Sequence, residues 1–139
     1  MQFQGVQIPA HGQLIQHDAD GKINSPDQPF VAFIRGDGIG VDITPVMLNV
    51  VDHAVQQAYS GQKKIQWVEL FAGENARTHY QGEWLPQATL DALKYFKVGI
   101  KGPLTTPVGG GIRSLNVAIR QKLNLYVCQR PVRYFAGSP

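Results

Sequence analysis

The chain has 139 residues, 43% of them apolar and 17% charged, enough for one domain that buries about 70% of its unfolded surface. No stretch approaches the roughly 18–20 apolar residues of a membrane helix. The start, MQFQGVQIPAHGQ, lacks the basic-then-apolar pattern of a secretory signal, so a cytoplasmic protein with no membrane partner is expected.

The single cysteine, Cys128, excludes an internal disulfide framework and a thiolate zinc site built by this chain alone. The net charge of +3 hides an asymmetry. Residues 1–100 carry 7 Lys/Arg and 10 Asp/Glu, whereas residues 101–139 carry Lys101, Arg113, Arg120, Lys122, Arg130 and Arg133 and no acid. Such a split favours a bound anion. Nucleic-acid binders scatter their cations among exposed aromatics. Here the cations sit among glycines and apolar runs, so a compact pocket for a small polyacid is expected and nucleic acid is not.

In chain order, residues 1–29 are polar and rich in turn formers, an irregular or hairpin-like lead-in. Residues 29–34 (PFVAFI) form a short apolar run bounded by Pro and Gly, the mark of a buried strand. A GDGIG turn follows, then a long helix with Thr44 as cap, Pro45 in its first turn and Gly61 beyond its end. Residues 64–72 (KIQWVELFA) read as a second strand, 74–80 as a short helix and 86–96 as a helix with Leu90 and Leu93 inward. Residues 97–101 (KVGIK) read as a third strand. A glycine-rich loop leads to a helix over about 114–123, and residues 125–135 look strand-like. Strands alternating with helices predict an α/β fold, a mainly parallel sheet flanked by helices.

Gly36, Gly38 and Gly40 superficially suggest a phosphate loop, but their spacing is not that of a dinucleotide fingerprint. A tight turn using positive φ is the better reading, so the fold is not expected to be a Rossmann fold. Asp37 and Asp42 could hold water or cap the helix. Histidines 11, 17, 53 and 79 show no metal-ligand spacing, and Cys128 reads as an inert core thiol.

The informative segment is 101–120, KGPLTTPVGGGIRSLNVAIR. It starts where a strand ends, the edge of a parallel sheet where ligands sit. Thr105 and Thr106 offer adjacent hydroxyls, and Ser114 stands at a helix entrance that favours carboxylate or phosphate. Arg113, Asn116 and Arg120 share one helix face, opposite Leu115, Ala118, Ile119 and Leu123. Guanidinium forks match carboxylates. Arg130 and Arg133 follow an apolar run and face either a cleft at its end or an exposed edge; spacing does not choose.

Together, KGPLTTPVGGGIRSLNVAIRQKLNLYVCQRPVRYF, GDGIGVDITPVMLNVVDHAVQQAY and GEWLP closely resemble the bacterial NADP-dependent isocitrate dehydrogenases. The likeness runs from about residue 24 to 139. GDGIG alone is shared with isopropylmalate and tartrate dehydrogenases; the threonine pair and GGGIRSLN are specific to isocitrate. Two departures are Arg35, where many members have an acid, and Gln129, where an apolar residue is usual.

The resemblance implies part of the large domain of the isocitrate/isopropylmalate dehydrogenase fold. A lead-in at 1–29, an incomplete α/β domain at 30–124 with its substrate loop at 101–120, and the start of a crossover into a small domain at 125–139 are expected. Carried over position by position, Ser114, Asn116, Arg120 and Arg130 match isocitrate contacts. Thr105 matches a nicotinamide-nucleotide contact, Thr106 is its neighbour, and Ser114 also matches a serine phosphorylated in some members. The implied reaction is oxidative decarboxylation of isocitrate to 2-oxoglutarate by a homodimer using NADP and Mg²⁺ or Mn²⁺. The family's catalytic Tyr and Lys, its metal-binding aspartates and most of its cofactor site lie later in the family sequence, so no catalytic residue and no metal ligand is expected here. The isolated chain is then an inactive fragment or, alternatively, a non-catalytic tricarboxylate-binding or regulatory module.

Overall fold

In the computed structural model, residues 2–105 and 114–137 are described. Thr106 and Arg113 lie outside them. The elements run β1 (Gln16–His17), β2 (Ile23–Asn24), β3 (Phe30–Ile34), α1 (Gly40–Ala58), β4 (Gln66–Leu70), α2 (Glu74–His79), α3 (Gln87–Phe96), β5 (Gly99–Lys101) and α4 (Leu115–Lys122). β1 and β2 form a small antiparallel hairpin. The main sheet has the order β4-β3-β5 and is parallel throughout.

Strand β3 is buried because both faces of FVAFI are apolar, and alternation sorts them. Ala32 and Ile34 face a core shared with Val68, Leu70, Ala92, Phe96, Leu115 and Ile119. Phe3, Val6, Ile8 and Leu14 of the lead-in pack against the same core. On the other face, Phe33 meets the edge of Trp67 at 6.1 Å, and Trp67 donates its ring N–H to Asp52 of α1 at 2.9 Å. Helices therefore cover both faces, α1 on one and α3 with α4 on the other. The parallel sheet flanked by helices is as expected.

Three expectations are corrected. Helix α1 starts a turn earlier than Thr44, at Gly40, with Ile39 in the cap position. Thr44 instead donates its hydroxyl to the Arg35 carbonyl at 2.7 Å, tying the helix back to the end of β3. The apolar residues of α1 divide between two faces, and Ile39, Ile43, Val46 and Val50 form an exposed stripe. Residues 125–135 form no strand. Tyr126, Val127, Val132, Tyr134 and Phe135 are all exposed, because strand propensity is not realised without a partner strand, and none pairs with this run among the described residues. Cys128 is accordingly exposed rather than buried in a core.

The GDGIG turn serves close packing. Gly36 and Gly38 have φ of 89° and 54°, a region that favours glycine. A Cβ on Gly36 would run into the Pro103 carbonyl, and one on Gly102 into the Arg35 carbonyl. The turns leaving β3 and β5 thus meet backbone to backbone. Gly102→Ala is expected to cost about 2–4 kcal/mol, since neither chain segment can retreat. The measurement is the urea midpoint of the purified chain; an unchanged midpoint would mean that the turns part easily.

Candidate functional site

The carboxyl ends of the parallel strands β3 and β5 lie at one edge of the sheet. Lys101 closes β5. Although the residue is exposed, partial desolvation of its ammonium, then the charge of Arg120, pushes it below the usual lysine range, while Asp37 opposes that shift. Lys101 and Arg120 are therefore close enough for their charges to interact, an arrangement that sequence spacing, 19 positions apart, does not reveal.

Helix α4 forms because Leu115 and Ile119, one turn apart, are buried in the core, as the spacing predicts. Anchoring that face turns Asn116, half-buried, and Arg120, exposed, toward the other side. Ser114 occupies the cap position with non-helical backbone and makes no side-chain cap bond; its carbonyl accepts the Ala118 N–H at 2.9 Å. Its half-buried hydroxyl is thus not spent on the helix.

Asn124, at φ 51°, ends α4 in the left-handed conformation. The Leu125 N–H returns to the Arg120 carbonyl at 3.0 Å, so the chain doubles back past Arg120. This turn carries Cys128 and Arg130 into the neighbourhood of α4. The Cys128 thiol is held below its ordinary range chiefly by hydrogen bonding from Arg130, with the charges of Arg120 and Arg130 adding to it and desolvation opposing. One exposed thiol thereby reports two of the predicted guanidinium groups.

Of the residues singled out from sequence, Asn116 and Arg120 share a helix face, Ser114 stands at its start, and Arg130 lies beside Cys128 near Arg120. Thr105 is exposed, and its N–H donates to the Asp37 carboxylate at 2.8 Å. The predicted roles of Thr106 and Arg113 fall outside the described residues. The sequence suggests a water ligand or a cap for α1 at Asp37. Its carboxylate instead accepts hydrogen bonds from the first N–H of α2 and from Thr105 after β5. Arg35 is neutralised locally by Glu69, which takes its Nε at 3.0 Å and Nη2 at 3.3 Å. That pairing raises the Arg35 pKa, mainly through the hydrogen bond.

Among the described residues no group of three or more His, Cys, Asp or Glu side chains could hold a metal ion. Asp37 and Glu69 are committed to backbone amides and to Arg35, respectively. These residues do not build a divalent-cation site by themselves. No helix among the described residues is long and apolar enough to cross a membrane.

The sequence model for the isocitrate/isopropylmalate dehydrogenase family matches residues 30–139. The chain is 61% identical over 140 residues to isocitrate dehydrogenase (NADP) of Pseudomonas aeruginosa strain UCBPP-PA14, covering 100% of this chain and 34% of that protein. It is 56% identical over 138 residues to the protein of the same name from Coxiella burnetii strain RSA 493, covering 99% of this chain and 32% of that one. The chain thus spans about a third of the length of the curated relatives it matches. Among solved structures, isocitrate dehydrogenase from Methylococcus capsulatus superposes with a TM-score of 0.54 at 44% identity, covering 70% of this chain and 26% of that chain. The TT0538 protein from Thermus thermophilus gives 0.53 at 28% identity, covering 76% and 19%. Its motifs, its parallel sheet and these likenesses agree: the chain belongs to the isocitrate/isopropylmalate dehydrogenase family.

Proposed function

We propose that this chain supplies the carboxylate-binding edge of an NADP-dependent isocitrate dehydrogenase, a cytoplasmic, homodimeric enzyme that oxidatively decarboxylates isocitrate to 2-oxoglutarate. What supports this reading is that Arg120, in the last turn of α4, acts electrostatically on Lys101 and, together with Arg130, on Cys128, in a segment with no acid. Isocitrate carries three carboxylates. Arg120 and Arg130 would each take one through a charged fork, while Asn116 and the Ser114 hydroxyl donate to the remaining oxygens. Thr105, with Thr106 beside it, would touch the nicotinamide nucleotide. A bound Mg²⁺ or Mn²⁺ would polarise the substrate oxygen. The cation's ligands and the proton-transfer groups are assigned to the remaining two-thirds of a protein of the relatives' length. Phosphorylation of Ser114 would place a charge of about −1.5 to −2 where a substrate carboxylate binds.

The test is NADPH production from isocitrate, NADP⁺ and Mn²⁺ by two proteins. The 139-residue chain alone is expected to show no turnover. A hybrid that joins it to the later two-thirds of the Pseudomonas relative is expected to be active. An inactive but folded hybrid would overturn the reading. Tight isocitrate binding by the chain alone would instead favour a non-catalytic tricarboxylate-binding module.

A further inference from the structure

The buried carboxylate of Asp37 joins three turns that sequence separates widely. The residue is 5% exposed. One oxygen accepts the Glu74 N–H at 2.8 Å, and the other accepts the Thr105 N–H at 2.8 Å. Its own N–H donates to the Pro103 carbonyl at 2.7 Å. Gly73, before α2, lets the carboxylate approach, because a Cβ there would overlap it. Gly73 also has no side chain to cap α2, and Asp37 serves the first N–H of that helix instead.

We infer that Asp37 is a positioning residue: it clamps Pro103 and Thr105, and so fixes where the loop after β5 leaves the sheet and where the Thr105 hydroxyl points. The clamp is two-sided. The same residue donates to Pro103 and accepts from Thr105, so residues 103–105 cannot rotate about the strand end without breaking a charge-assisted bond. Its other oxygen is anchored to α2, which packs into the core through the buried Ala76. Thr105 is thereby referenced to the fold rather than to its own exposed loop.

This assignment deepens the proposed function, since it acts on nucleotide only if Thr105 contacts it. The first measurement is amide hydrogen exchange of the unsubstituted 139-residue chain by NMR. Thr105 is exposed and lies outside every helix and strand, so protection of its N–H reports the Asp37 bond; an unprotected Thr105 amide overturns the inference. Asp37→Asn offers one acceptor oxygen in place of two. It is expected to speed exchange at Thr105 or Glu74 by about tenfold, the loss of one buried hydrogen bond, while the β4 amides change little. Equal acceleration throughout the sheet overturns the inference, because Asp37 would then serve only general stability.

The second measurement uses the active hybrid. Asp37→Asn is expected to raise the KM for NADP⁺ by about 10–100-fold, the scale set by a misplacement near 1 Å, with a smaller change in the KM for isocitrate. Asp37→Glu restores the charge and is expected to recover part of it. Equal effects on both substrates would overturn the positioning role. Inactivity of the unsubstituted hybrid would overturn the functional reading and the nucleotide role with it, while the exchange experiment would still decide the clamp.

Discussion

In the hybrid enzyme, Arg120→Gln raises the KM for isocitrate by about 10–100-fold and leaves the fold intact. The effect is large because a guanidinium bond to a carboxylate contributes roughly 1.5–3 kcal/mol and a neutral amide replaces only part of it. Stability hardly moves, because Arg120 is exposed and makes no ion pair among the described residues. Substitutions at such surface positions shift stability by about ±0.5 kcal/mol. Removing this charge also relieves Lys101, whose ammonium Arg120 disfavours. The variant therefore separates binding from folding: the KM moves while the urea midpoint does not. Ser114→Asp makes the same point by repulsion, with an expected loss at least as large, and Ser114→Ala gives a milder defect. A KM within about twofold of the parent, a difference under roughly 0.5 kcal/mol, in both Arg120→Gln and Ser114→Asp would remove the carboxylate pocket from this edge.

Phe96→Ala is expected to destabilise the chain by about 3–5 kcal/mol, a large share of the roughly 5–15 kcal/mol that holds a domain together. Phe96 is fully buried at the end of α3. Its ring lies 5.2 Å from Tyr95, 5.6 Å from Phe30 of β3 and 6.1 Å from Phe3 of the lead-in. One side chain thus joins the central strand, a flanking helix and the first residues of the chain. Deleting it opens a cavity that three elements border, and none can close it alone. Urea unfolding followed by tryptophan fluorescence checks the value. Val50→Gln serves as the contrast: Val50 sits on the exposed stripe of α1, 62% exposed, and should shift the midpoint little. Similar losses from the two variants would mean that the described core is not where stability resides.

The elements legible in the sequence are those whose burial is decided by neighbours close in the chain. FVAFI reads as a buried strand from its own composition. Leu115 and Ile119, four apart, place the inward face of α4. The run 125–135 opens with four apolar residues, LYVC, yet forms no strand, since pairing depends on a partner that local pattern does not reveal. Cys128 lies outside the core for the same reason. The exposed stripe of α1 is equally invisible in sequence, because helical periodicity marks apolar positions without saying which find cover.

At the site, Asn116 and Arg120 on one face follow from helical spacing alone. The approach of Arg130 does not; it depends on the left-handed turn at Asn124, a residue that passes for an ordinary helix end. The least legible residue is Asp37. Its partners stand 37 and 68 positions away, and only the order β4-β3-β5 brings them together. A carboxylate in a glycine turn looks like a local cap until its distant amides are seen.

Strand β5 spans three residues, all exposed, with Ile100 between Gly99 and Lys101. Burial of one face therefore gives its alignment on β3 little guidance. The glycine crossing at Gly36 and Gly102 provides what alternation withholds. A slip by one residue would drive a side chain or the Pro103 ring into the Arg35 carbonyl, so the joint acts as a key that fits at a single setting. The basic end of this chain inherits its alignment from two missing side chains.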